Sequence, residues 1–130
     1  MADNSLNQIQ LTLHDEMDEI KAQLSELNET KSWIVNGPAI DLLRRTKQIA
    51  ILQGRRLTVN KVQTQLQSTK DLTIIQTWLD EITREHQTQF DQLTQELKQA
   101  DPTSNHYVQL LTDYYQAYGR QQVFDQLNAH

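Results

Sequence analysis

Apolar residues in the first part of this chain recur at alternating steps of four and three: Leu13, Met17, Ile20, Leu24 and Leu27, with Leu6 and Ile9 before them. That spacing lays one narrow stripe along a helix and is the seam of a coiled coil. The stripe cannot stay wet, so the first helix, read over residues 5–34, needs a partner helix. Asp15, Glu16, Asp18, Glu19, Glu26 and Glu29 are read on its other faces. Three Gly and two Pro in 130 residues leave too few tight turns for a many-stranded β fold. With 37% hydrophobic residues and a mean hydropathy of -0.69, the core is thin and a deep catalytic cleft is not expected.

The same periodicity continues, and about five helices are predicted in one all-α domain over 1–130. Asn36-Gly37-Pro38 ends the first. A second runs from Ala39 to Gln53 and is stopped by Gly54, leading to a short third helix capped by Thr58, with Leu57 and Val62 as a hydrophobic staple. Asp71 caps a long fourth helix whose stripe is Leu72, Ile75, Trp78, Leu79, Ile82, His86, Phe90, Leu93 and Leu97. Asp101-Pro102 breaks it, Ser104 or Asn105 caps a fifth, and Gly119 kinks that helix or ends it early. The expected organisation is an acidic amphipathic helix (5–34), a helix-turn-helix module (39–79) and a long helical hairpin (72–128), bundled with coiled-coil-like long helices.

Charge is unevenly placed. Residues 1–30 carry -6, residues 31–70 carry +7 and residues 71–130 carry -6. A basic centre between acidic flanks either attracts a polyanion or is neutralised by the chain's own helices. In the basic segment, a helix ending at Gly54, then Arg55-Arg56-Leu57-Thr58-Val59, a short helix to Leu66, a turn, and Thr73-Ile74 opening a helix with Trp78-Leu79 follow helix-turn-helix order. Val62, Leu66, Ile74 and Trp78 are the expected crossing residues, and the tip of the second helix then projects outward with unpaired N–H groups.

From about Gln48 to Leu79 this stretch resembles the N-terminal DNA-binding region of KfrA-type plasmid proteins. There a Gly-basic-basic-Pro-Thr-Val segment precedes a short helix, a turn, and a recognition helix opening on Thr-Val. Gly54-Arg55-Arg56-Leu57-Thr58-Val59, Val62, Leu66 and Thr73-Ile74 sit at matching spacing, with Leu57 in place of the Pro and Thr69-Lys70 in place of the Gly-Ser of the turn. The resemblance implies a bacterial DNA-binding regulator or accessory protein that holds duplex DNA. Arg55, Arg56, Lys61 and Lys70 would meet phosphates, while Thr73 and Gln76 face the groove. Arg44, Arg45 and Lys47 would widen the electrostatic footprint. The heptad stripes predict a homodimer, which supplies a second half-site.

The rival reading is a non-enzymatic helical adaptor that docks a protein through its amphipathic helices. Nothing in the sequence points to catalysis, a cofactor or a metal: there is no Cys, and His14, His86, His106 and His130 lack ligand spacing. His86 reads as a seam histidine. Tyr107, Tyr114, Tyr115 and Tyr118 read as a packing stripe against the fourth helix, and Trp33 and Trp78 as core anchors. The longest apolar run, Ile49-Ala50-Ile51-Leu52, cannot span a bilayer, and no leader peptide is seen, so a cytoplasmic location without membrane contact is expected.

Overall fold

The computed structural model describes residues 2–29 and 39–129. Four α-helices make up nearly all of them: α1 (Ala2–Glu29), α2 (Ala39–Ser68), α3 (Leu72–Gln99) and α4 (Asn105–Asn128). No strand occurs among the described residues. Trp33 and the predicted Asn36-Gly37-Pro38 stop lie outside them.

There are four helices here rather than five because the second and third predicted ones are a single helix. α2 passes unbroken through Gly54. A Cβ on Gly54 would stand 1.9 Å from the Gln116 carbonyl oxygen, and one on Gly119 would stand 2.0 Å from that of Ile51. Each glycine therefore admits the backbone of the other helix, and both keep φ negative. Ala50 and Thr58, one turn to either side of Gly54, are buried with it, as is Ala117 on α4. Thr58 is no N-cap: it lies mid-helix, with its hydroxyl donating to the Gly54 carbonyl at 3.1 Å. Leu57 is exposed, so the predicted staple is absent. Gly119 does not end α4 early; that helix continues to Asn128.

The later boundaries follow the sequence. The Asp71 carboxylate accepts from the Thr73 and Ile74 N–H groups at 2.9 and 3.3 Å, satisfying donors that an uncapped helix start would leave open. α3 stops just before Asp101-Pro102, and the Ser104 hydroxyl accepts from the Tyr107 N–H at 3.1 Å to open α4.

Inside the bundle, Ile9, Leu13 and Ile20 of α1 meet Leu52, Val59, Val62 and Leu66 of α2, Ile75, Leu79 and Ile82 of α3, and Val123, Phe124 and Leu127 of α4. Leu13 and Ile20 are fully buried, each contributing about 2 kcal/mol through lost water contact. The seam of α1 thus finds its partner helix within the chain. α3 and α4 are antiparallel, with Thr83 beside Asn128 at one end and Phe90 against Tyr114 farther along. α2 and α4 run in the same direction, pairing Gln53 with Gln116 at their crossing. Ile75, not Ile74, faces the core; Ile74 is exposed.

Candidate functional site

The cations of α2 do not gather on one surface. Lys47 and Arg56 are nine residues apart, which turns them to opposite sides of a helix. Arg44 and Lys61 lie about 25 Å apart along the axis at 1.5 Å per residue.

Arg55 faces inward. Its Nε donates to Glu16 Oε2 at 3.2 Å, its Nη2 donates to the same oxygen, and Glu19 Oε2 lies 3.6 Å away. The Arg55 and Glu16 side chains are each only 12% exposed. Glu16 reaches this position because it lies three residues after Leu13 and four before Ile20, on the buried stripe rather than on a solvated face. That spacing is visible in the sequence and was the signal for the pair. A guanidinium bound to carboxylates of α1 is not offered to a phosphate.

The other predicted contacts are scattered. Arg44 is exposed, 3.9 Å from Asp41 on the preceding turn. Arg45 is half-buried. Lys47 lies over the Tyr115 ring, 5.3 Å from its centroid. Arg56 is exposed beside a groove shared with His14, Asp18 and Lys21 of α1. Lys61 borders a different cleft, between α2, α3 and α4. Lys70 is exposed in the turn, and Thr73 and Gln76 are exposed on the first turns of α3. The tip of α3 is not open, since Asp71 occupies its N–H groups and sets a negative charge where a phosphate would approach.

Two features depart from the sequence reading or lie beyond it. The first is the start of α2, where Leu42 and Leu43, apolar positions expected on one packing face with Ala39, Thr46, Ile49 and Ala50, are 39% and 65% exposed and Ile40 is 56% exposed. The second is the cleft bordered by Lys61, about 320 Å³ in volume, which also takes in Glu85 and His86 of α3 and Arg120 of α4. His86 is 5% exposed and packs against Phe90 and Phe124, with ring centroids 5.8 and 5.2 Å away. Burial, and secondarily the Arg120 charge, push its pKa below the usual 6.5, against the opposing pull of Asp125, Gln121 and the Ala117 carbonyl.

The tyrosine stripe is met in part: Tyr114 stacks edge-on with Phe90 of α3 and with Tyr115, which lies under Lys47 of α2, whereas Tyr118 is exposed. Trp78 is half-buried against the core. Among the described residues no group of three or more His, Asp or Glu side chains is placed to hold a metal ion, and no helix is long and apolar enough to cross a membrane. Compared with family models, curated proteins and solved structures, the chain finds no match.

Proposed function

We propose that this protein is a non-enzymatic helical adaptor that docks an acidic amphipathic helix on the first turns of α2. The observation that carries this reading is the exposure of Ile40 and Leu43 at the end of an otherwise well-packed helix. Ile40, Leu43, Arg44 and Lys47 follow one another at steps of three, one and three, so they share a face. Apolar residues flanked by cations suit a partner helix that carries leucines at heptad spacing and carboxylates beside them. α1 is held against α2 by the same complementarity, through Leu13, Ile20 and the Glu16–Arg55 pair.

The duplex-DNA reading loses its central support. Arg55 is occupied, the α3 tip is capped, and the other cations of α2 are divided between the Arg44–Lys47 face and the separate grooves of Arg56 and Lys61. A homodimer is likewise not needed to cover the centre of the α1 seam, where Ile9, Leu13 and Ile20 are buried and Leu6, Met17, Leu24 and Leu27 are half-buried within one chain.

Fluorescence anisotropy separates the two readings. The full chain is titrated against a labelled acidic leucine-heptad peptide and, separately, against labelled random-sequence duplex DNA at low salt. Saturable peptide binding that weakens about ten-fold or more in Leu43→Asp, with an unchanged melting curve, supports the adaptor. Peptide binding that is absent, or indifferent to that substitution, overturns it. DNA binding that is steep in salt and lost in the Arg44→Gln/Lys47→Gln variant would restore the nucleic-acid reading.

A further inference from the structure

The cleft between α2, α3 and α4 brings two cations together over an apolar floor. Lys61 comes from α2 and Arg120 from α4, while Leu57, Ile82 and Phe124 supply the floor. Among the described residues neither Lys61 nor Arg120 forms an ion pair or a hydrogen bond with another side chain. For Lys61, which is exposed, this costs little. Arg120 is half-buried along the wall of the cleft. Beside it, His86 Nε2 of α3 and Gln121 Oε1 of α4 are both buried, and the Gln121 side chain is the imidazole's hydrogen-bonding neighbour.

We propose that this cleft binds a small amphipathic carboxylate, its head between Lys61 and Arg120 and its apolar body on Leu57, Ile82 and Phe124. The charge count selects a single negative charge. Lys61 and Arg120 are opposed by Glu85 at the rim and by Asp125 beside His86, and these two carboxylates would repel the second charge of a phosphate monoester. The site is separate from the α2 docking face and does not depend on that reading. It also makes a demand on His86: a bound anion offsets the Arg120 field, so the histidine takes up a proton more readily when the cleft is filled.

The test is an NMR titration of the full chain with benzoate, benzyl alcohol as the neutral match, and phenyl phosphate as the dianion. Benzoate is expected to saturate at about millimolar concentration, in keeping with so few atoms. It should move the Lys61, Arg120 and His86 side-chain signals and raise the His86 titration midpoint. Arg120→Gln and, independently, Lys61→Gln should weaken binding about ten-fold. Arg84→Gln, on the exposed side of α3, should leave it unchanged. Shifts that never saturate, that persist in both cleft variants, or that benzyl alcohol reproduces overturn the site. Tighter binding of phenyl phosphate than of benzoate overturns the assignment to a single negative charge.

Discussion

Gly54 and Arg55 are neighbours in sequence, yet they hold α2 to two different helices by opposite means. At Gly54 the absence of a side chain lets α4 approach backbone to backbone, in an exchange completed by Gly119. At Arg55 a long charged side chain crosses to α1 and ends on Glu16 and Glu19. The first contact is one of shape and tolerates nothing larger than hydrogen. The second is one of charge, and its energy depends on both partners being present. One helix thus specifies two neighbours with little chance of confusing them. An apolar seam alone could slide or exchange partners, whereas a carboxylate set into the α1 stripe fixes register where the guanidinium waits.

The sharpest way to break this comparison is Gly54→Ala. In an ordinary helix interior that change is favourable by about 1 kcal/mol. Here the new methyl overlaps the Gln116 carbonyl, an atom that cannot rotate away, so α2 and α4 must separate. A net loss of about 3 kcal/mol in chemical denaturation is expected, with a similar loss for Gly119→Ala. The double variant should cost less than the sum, since helices already parted accommodate the second methyl more easily. A rise in melting temperature for either single variant would show that the crossing is not tight.

The charged contact should behave differently under a double-mutant cycle. Arg55→Leu alone strands a largely buried Glu16 carboxylate and is expected to cost about 2–3 kcal/mol. Glu16→Leu alone strands the guanidinium, though Glu19 softens the loss. Together the two leucines should recover most of the stability, because a well-packed apolar pair often matches a buried ion pair. No such rescue exists for the glycines. If the single variants cost under about 0.5 kcal/mol, the pair is a surface contact in energetic terms and the contrast fails.

The same two residues explain what the sequence made legible. Helix class, the Asp71 and Ser104 caps, the break at Asp101-Pro102 and the Tyr114–Phe90 packing all rest on local chemistry, and each appears in the structure. Gly54 was misread because a glycine that ends a helix and a glycine at a helix crossing look alike along one chain. Only the partner at Gly119, 65 positions away, distinguishes them. That misreading split α2 in two and lent Thr58 and Leu57 the roles of cap and staple. Treating Glu16 as solvated left Arg55 looking available for phosphate. The cleft beside His86 was out of reach for a further reason: Lys61, His86 and Arg120 come from three helices, and no spacing joins them.

His86 carries the comparison to a third interface, with the smallest expected effect. α1 and α2 bury a charge by pairing it, whereas α3 and α4 hold their ionisable ring in the neutral form. The groups around the ring are Glu85 on α3 itself, Lys61 from α2, and Arg120 and Asp125 from α4. Desolvation outweighs the rest and lowers the folded-state pKa, so over the interval just below 6.5 the unfolded chain binds more protons than the folded one. Stability is therefore greatest above about pH 6.5 and falls as pH drops from there toward the depressed folded value, levelling below it. Replacement by leucine removes the proton acceptor and should flatten denaturation midpoints across that interval, whatever the variant's absolute stability. A slope that survives in His86→Leu would place the pH dependence in carboxylates elsewhere and leave the α3–α4 interface as indifferent to acid as the glycine crossing.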